Sequence, residues 1–80
     1  MLALHPQVSV RPEPFGALLY HFGTRRLSFL KDRRLLDVVQ RLDGSLSVEQ
    51  ALADIPPAEQ ASFRTALGTL TKTGMLHEAG

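Results

Sequence analysis

The side chains of this sequence that could do chemistry lie far apart along the chain. Its three histidines are His5, His21 and His77, and no two of them have the spacing that places two metal ligands on one helix face. We therefore interpret them as scattered surface side chains. The chain has no cysteine, which excludes disulfides and thiolate zinc sites. We expect no metal site and no cofactor.

The carboxylates and hydroxyls also lack a catalytic pattern. Asp32 and Asp37 lie among arginines in one segment, where solvated ion pairs are more common than acid–base catalysis. No serine stands in a nucleophile motif, and Gly16 and Gly23 are spaced as turn glycines rather than as a phosphate-binding loop. We expect no enzyme, which leaves a binding function.

The segment RRLSFLKDRR, from Arg25 to Arg34, concentrates basic residues in a chain whose formal net charge is only +1 at pH 7. Such a cluster fits an acidic peptide, nucleic acid or a membrane, or it is a solvated face that protects a strand edge. No apolar run approaches the roughly 20 residues that cross a bilayer. The N-terminus, MLALHPQ, lacks the basic region of a signal peptide. We expect a soluble cytoplasmic protein without membrane contact.

Three short strands are predicted in the first part of the chain. Val8 and Val10 alternate with polar residues, and Pro12 and Pro14 should end this strand. The next two strands, ALLYHF and RRLSFL, flank Gly23-Thr24. This dipeptide predicts a two-residue type II′ hairpin.

The register of that hairpin divides its side chains between two faces. Phe22 should pair with Arg25, and the next same-face pairs carry the core candidates Leu18, Tyr20, Leu27 and Phe29. The opposite face, with Leu19, His21, Arg26 and Ser28, is the more polar one and should face solvent. Replacing Leu27 or Phe29 should therefore damage folding.

Three helices follow the strands. In KDRRLLDVVQRLDG the apolar residues have helical spacing, and they are Leu35, Leu36, Val38, Val39 and Leu42. Gly44 should stop that helix, and Ser47 with Gln50 predicts a capping box for a short second helix. Pro57 should open the third helix and Gly74 should end it. Its buried stripe is predicted to be Phe63, Ala66, Leu67 and Leu70. The MLH segment after Gly74 is either a brief strand or a tail.

The order of these elements predicts the fold. Eighty residues make one domain at most, which we assign to residues 1–80. Strands followed by helices indicate an α+β fold with a three-stranded antiparallel sheet and then three helices. The tight Pro-Pro turn between the second and third helices resembles helix-turn-helix geometry. A small winged-helix-like domain follows.

A DNA-binding regulator of the winged-helix type is the alternative function. Its recognition helix would be the third helix, which carries Arg64 and Lys72 but also Glu59. Two cations are few against the roughly 6–10 phosphate contacts of a strong site. A module that oligomerises by pairing edge strands is a third hypothesis.

A peptide-binding function fits the third strand better, provided that this strand is a sheet edge. An extended peptide can add to such an edge as another strand. The other wall of the groove would be the flank of the third helix that carries Gln60, Arg64, Gly68 and Thr71. Gly68 costs about 1 kcal/mol relative to Ala inside a helix. It either lets a peptide approach closely or packs against this chain. Ser28→Pro should then abolish peptide binding by removing a backbone donor.

The stretch from His5 to Val39 closely resembles the peptide chaperones of the mycofactocin system, and RPEPFGALLYHFGTRRLSFL, from Arg11 to Leu30, is its most specific part, whereas the chain from Gln40 on agrees in pattern but is less distinctive. That family is similar to the chaperone of pyrroloquinoline quinone biosynthesis, and both are RiPP recognition elements. The resemblance implies a winged-helix-like domain that does no chemistry. It also implies binding to the leader of the mycofactocin precursor peptide and delivery to a radical SAM maturase.

The resemblance also implies where the leader binds. In this class the leader adds to the third strand, in the groove beside the third helix. We therefore expect a non-catalytic chaperone, a monomer that does not bind nucleic acid. Its site would comprise Arg25, Arg26, Leu27, Ser28, Phe29 and Leu30 of the strand, and Arg64, Gly68 and Thr71 of the helix. Lys31, Arg33 and Arg34 lie past the strand and serve either the maturase or no function.

Overall fold

The computed structural model describes residues 1–79, which contain five strands and three helices. The strands are β1 (Leu2–Leu4), β2 (Val8–Glu13), β3 (Gly16–His21), β4 (Arg26–Leu30) and β5 (Leu76–Glu78), and the helices are α1 (Arg33–Arg41), α2 (Val48–Ala51) and α3 (Pro57–Lys72). The predicted α+β fold, with a three-stranded antiparallel sheet and then three helices, is confirmed. No helix within residues 1–79 has the length and apolar character needed to cross a membrane.

The three-stranded sheet has the order β2-β3-β4, so β2 and β4 are its edges. β2 runs through Pro12 to Glu13, and the prediction that Pro12 ends it is wrong. Phe22 N donates to Gln7 O, so the odd-numbered residues of β2 direct their backbone N–H and C=O groups towards β3 and the even-numbered residues direct theirs away from it. Pro12 therefore has its nitrogen on the solvent side of an edge strand, where no donor is needed.

The β3–β4 hairpin has the predicted register but not the predicted turn. Tyr20 lies opposite Leu27, as expected, and the last strand pair joins His21 to Arg26. The turn therefore spans residues 22–25, where we expected a two-residue loop. Arg25 takes the left-handed conformation, with φ of 59°, and its N–H donates to His21 O over 2.7 Å.

The buried face of this sheet is the opposite of the one predicted. The helices cover Ala17, Leu19, His21 and Leu30, whereas Leu27 and Phe29 are exposed. The choice of the less polar face as the core was wrong because α1 packs on β3 from the other side, where Ala17, Leu19 and Leu30 are buried. Burial of His21 is possible because its Nδ1 accepts hydrogen bonds from the backbone N–H groups of Gly23 and Thr24.

The helices begin and end largely as their sequence signals indicate. Asp32 caps α1 by accepting from Arg34 N, and Ser47 forms the predicted capping box with Gln50. Pro57 stands in the first turn of α3. Gly74, with φ of 83°, follows its last turn, and Met75 N then donates to Leu70 O. The five apolar residues predicted for the first helix are all buried.

A second, two-stranded sheet pairs β1 with β5. Ala3 lies opposite His77, and a bridge from Ala3 to Asp43 ties this sheet to the segment after α1. β1 was not predicted, and β5 resolves the MLH segment as a strand. This sheet brings the two ends of the described chain together beside α3.

Candidate functional site

β4 is an edge strand whose outer side has no strand partner among residues 1–79. Its inner side pairs with β3 from Ala17 opposite Leu30 to His21 opposite Arg26. An edge of this kind presents backbone donors and acceptors that another extended chain can use. The structure therefore contains the free edge on which the peptide-binding hypothesis depends.

The hydrogen-bond pattern identifies which backbone groups of β4 are free. Phe22 N donates to Gln7 O, so the even-numbered residues of β3 turn their backbone groups towards β2 and the odd-numbered ones towards β4. Ser28, opposite Leu19, therefore uses its N–H and C=O within the sheet. The N–H and C=O groups of Leu27 and Phe29 point outwards. Ser28→Pro would break the internal ladder, and the outward donors lie at its two neighbours.

An open groove of about 420 Å³ runs between β4 and α3. The strand side and its continuation contribute Leu27 to Lys31, and Leu35 of α1 lies between them. The α3 side contributes Ala66, Thr69 and Leu70. The Thr69 hydroxyl donates to Thr65 O, so it needs no partner from a ligand. The groove is thus largely apolar and has one wall of small side chains.

The predicted helix residues Arg64, Gly68 and Thr71 lie away from this groove. They line a separate groove of about 590 Å³ near β1 and α2, and Arg64 lies 3.9 Å from the Glu49 carboxylate. The expectation that this flank of α3 faces the third strand is therefore wrong. The prediction that Phe63, Leu67 and Leu70 form the buried stripe of α3 is confirmed. A buried stripe has an exposed flank on each side, and helical spacing does not indicate which flank faces β4. Only the crossing of α3 over the sheet decides which flank meets β4.

Gly68 has open space where a side chain would be. A Cβ added there would meet nothing within 4 Å outside its own helix. The interpretation that Gly68 packs against another element of this chain is therefore wrong. Ala66 was predicted only as part of the buried stripe, and Thr69 was missed. The signal for this wall is the pair of small residues Ala66 and Thr69 at helical spacing, of which Ala66 is half-buried and Thr69 exposed.

The basic residues of the cluster have different roles. Arg25, Arg26 and Lys31 are exposed and form no ion pair within the described part of the chain. Arg34, in contrast, joins α1 to α3. Its guanidinium lies 2.7 Å from Glu59 Oε1 and 3.0 Å from Asp32 Oδ2. The cations around β4 are therefore free to meet a partner, whereas Arg34 is already used.

Hydrogen bonds from Arg34 lower the pKa of the Asp32 and Glu59 carboxyls below their usual values. The same bonds raise the pKa of the Arg34 guanidinium. The Arg34 guanidinium also lies 5.4 Å from the centre of the Phe63 ring. Because the three charged groups are partly exposed, we expect this cluster to orient α1 on α3 more than to stabilise the fold.

The three histidines are not scattered in the structure. The His5 ring lies 4.5 Å from the His21 ring and 5.2 Å from the His77 ring, centre to centre. Partial burial, and then the charges of the other two rings, lower the pKa of His5. Within residues 1–79 no group of three or more His, Cys, Asp or Glu side chains is arranged to hold a metal ion. The histidines instead pack where the two sheets meet.

Comparison with known proteins gives consistent matches over most of the chain. Residues 1–77 match the peptide chaperone MftB family. The peptide chaperone MftB of Mycolicibacterium smegmatis is 53% identical over 75 residues, which are 91% of this chain and 74% of that protein. The protein of the same name from Mycobacterium tuberculosis is 53% identical over 75 residues, which are 91% of this chain and 69% of its own length. No solved structure matches significantly.

These matches confirm the family resemblance found in the segment from Arg11 to Leu30. The family is one of peptide chaperones and not of catalytic enzymes. The alternative of a DNA-binding regulator has no support among them. The chain belongs to the peptide chaperone MftB family.

Proposed function

We propose that this chain binds the leader of the mycofactocin precursor peptide as an additional strand on β4, and that it delivers the peptide to a radical SAM maturase. The observation that carries the proposal is the free outer edge of β4 beside an apolar groove. The names of its relatives support a peptide as the ligand. The protein acts as a monomer and does not bind nucleic acid.

The backbone of β4 supplies part of the binding free energy. The outward N–H and C=O groups of Leu27 and Phe29 can form up to four hydrogen bonds with a peptide strand. Each is worth roughly 0.5–1.5 kcal/mol net, whereas micromolar affinity needs about −8 kcal/mol. Side-chain contacts must therefore contribute the rest. The exposed side chains of Leu27 and Phe29 and the groove floor at Leu35 and Leu70 offer apolar surface for them.

Charge adds selectivity for an acidic leader. Arg25 and Arg26 stand at the start of β4 and Lys31 follows its end, all without an ion-pair partner among the described residues. A peptide with carboxylates near both of its ends would complement them. The proposed site therefore comprises residues 25–30 with Ala66 and Thr69. We leave Arg64, Gly68 and Thr71 out of the proposed site, since they line the other groove.

Delivery needs no chemistry from the chaperone itself. Holding the leader while contacting the maturase raises the effective concentration of the rest of the peptide at the enzyme. The site fits this role because one strand edge binds the leader backbone and leaves the C-terminal part of the peptide free.

Two substitutions at Leu27 test strand addition. Leu27→Ala removes the side chain but keeps the outward N–H, whereas Leu27→Pro removes both. Proline is tolerated on an edge strand where its nitrogen faces solvent. We expect Leu27→Pro to bind a synthetic precursor peptide about fivefold more weakly than Leu27→Ala, since one backbone hydrogen bond is worth about 1 kcal/mol. Calorimetric titration measures both affinities, and circular dichroism confirms that both variants fold.

Ser28→Pro is the matched control for this pair. The backbone N–H of Ser28 is used within the sheet, so Ser28→Pro should lower the Tm, whereas Leu27→Pro should not. A random DNA duplex at matched salt serves as the control ligand and should bind weakly. Equal peptide affinities of Leu27→Pro and Leu27→Ala would rule out strand addition at this position.

A further inference from the structure

The outer face of the β3–β4 hairpin is apolar and uncovered, whereas β2 contributes the polar residues Ser9, Arg11 and Glu13 to the same side of the sheet. We define the outer sheet face as Leu18, Tyr20, Phe22, Leu27 and Phe29. Leu18 lies opposite Phe29 and Tyr20 lies opposite Leu27, so these side chains share the face turned away from the helices. The Phe22 side chain is 62% exposed, and those of Leu27 and Phe29 are each 59% exposed.

This exposure differs from the usual antiparallel sheet, in which the solvent face is polar. The Tyr20 and Phe22 rings pack edge to face, with centres 4.9 Å apart. Three of the five exposed large apolar side chains of the described chain belong to this one face. Clustered aromatic and aliphatic side chains on a solvent face are typical of protein interfaces.

We propose that the outer sheet face is a docking surface for a folded protein partner whose own contact surface is apolar with carboxylates at its rim. The face spans two strands and is not a groove, so it fits a folded surface better than an extended peptide. The peptide groove lies at the edge of β4 beside α3. The two surfaces overlap at Leu27 and Phe29 of β4 and differ elsewhere.

The charges around the face define the partner. Arg25 stands in the turn before β4 and Lys31 follows its other end, whereas Arg26, opposite His21, lies on the face that the helices cover. On the β2 side the outer face carries Arg11 and Glu13, which pair with each other over 3.0 Å, so the charges left unpaired at the two ends of β4 are positive among the described residues. A second copy of this chain packed face to face would place cations opposite cations, whether parallel or antiparallel. An acidic partner meets cations at both ends.

Continuity between the face and the peptide site suggests what the partner does. A peptide strand added to β4 would extend the same sheet, and alternate side chains of the peptide would lie beside Leu27 and Phe29. A protein docked on the outer sheet face would then touch the bound peptide as well as the chaperone. This inference rests on the proposed function, because the partner used to test it is the radical SAM maturase that receives the peptide.

The test uses the full chain and three titrations, with the precursor peptide, with the maturase, and with the maturase in the presence of peptide. Phe22→Ser and Tyr20→Thr alter the outer sheet face away from the edge of β4. We expect each to weaken maturase binding about tenfold or more, as loss of a central aromatic side chain does. Peptide affinity should stay within twofold. Saturating peptide should tighten maturase binding to the unaltered chain.

Phe15→Ser is the matched control, because Phe15 is an exposed phenylalanine in the β2–β3 turn, at the other end of β3 from Phe22. It should change maturase binding less than twofold. The inference is overturned if the unaltered chain does not bind the maturase, or if Phe22→Ser and Tyr20→Thr bind it as tightly as that chain.

Self-association gives a separate outcome. A dimer in sedimentation that Phe22→Ser dissociates would show that a second copy occupies the face, which also overturns the inference. Failure of the unaltered chain to bind peptide would instead refute the proposed function. These two failures are distinguishable because the peptide titration does not involve the outer sheet face at Phe22.

Discussion

Two glycines show how the same residue type has opposite structural roles. A Cβ on Gly16 would collide with the carbonyl oxygen of Leu30, and its φ of 151° disfavours any other residue. Gly68 has open space and an ordinary helical position in α3. The first glycine therefore lets β3 approach the end of β4, whereas the second only weakens its helix.

We expect Gly68→Ala to raise the free energy of unfolding by about 1 kcal/mol, because alanine stabilises a helix interior relative to glycine. Gly16→Ala should lower it by more than about 2 kcal/mol through backbone strain. Urea denaturation measures both changes. Peptide affinity of Gly68→Ala should equal that of the unaltered chain. A large loss of affinity would move the peptide site to the groove lined by Arg64, Gly68 and Thr71.

At the scale of elements, the position of α3 relative to the sheet decides where the groove opens. The side-chain amide of Gln60 holds the start of α3 by donating to Leu52 O over 3.2 Å and to Ile55 O over 2.9 Å. These carbonyls follow α2, which is only four residues long and ends without a glycine. Gln60 therefore binds the start of α3 to carbonyl oxygens of the segment that connects it to α2.

Gln60→Met keeps the size of the side chain and removes both donors. We expect it to lower the free energy of unfolding by about 1–2 kcal/mol, since each lost bond leaves a carbonyl with one partner fewer. A fall of roughly 4–8 °C in Tm per kcal/mol is expected for a chain of this length. Gln40→Met, on the exposed side of α1, is the control and should change little. Equal Tm values for both variants would contradict this role.

At the scale of the whole molecule, the histidines join three parts of the chain. His5 follows β1, His21 ends β3, and His77 lies in β5. The His5 Nδ1 accepts a hydrogen bond from Gln7 N over 3.1 Å, and His5 N donates to Met75 O. The ring of His5, between those of His21 and His77, therefore lies where the two sheets meet.

The pKa of His5 lies below its usual value of 6.5 in the folded chain, so folding favours the neutral ring. Its contribution to stability is present above pH 6.5, where both states are neutral, and is lost as the pH falls through the folded-state pKa. His5→Asn keeps an acceptor for Gln7 N but does not titrate. We expect the free energy of unfolding of this variant to fall less between pH 7.5 and 5.5.

That pH range isolates the histidine effect from the carboxyls. Asp32 and Glu59 have pKa values lowered below their usual 3.8 and 4.5, so they stay ionised throughout it. Chemical denaturation at a series of pH values measures the slopes. Identical slopes for His5→Asn and the unaltered chain would show that His5 does not contribute to this dependence.

The sequence by itself determined the order of the three-stranded sheet and the three helices, the β3–β4 register, the capping box of α2 and the family. Each depends on residues close together in the chain: the alternation around Gly23, the capping box of Ser47 and Gln50, and the segment from Arg11 to Leu30. The buried positions of α1 and the stripe of α3 were predictable for the same reason, since helical spacing is local.

Only the tertiary structure decided which face of each element is used. Leu27 and Phe29 are exposed because the helices cover the other sheet face, where Ala17 and His21 lie. The flank of α3 beside β4 carries Ala66 and Thr69 because of the angle at which the helix crosses the sheet. The spacing of residues along the chain shows which side chains share a face of a strand or helix. Which of those faces is buried depends on contacts between residues that are distant in sequence.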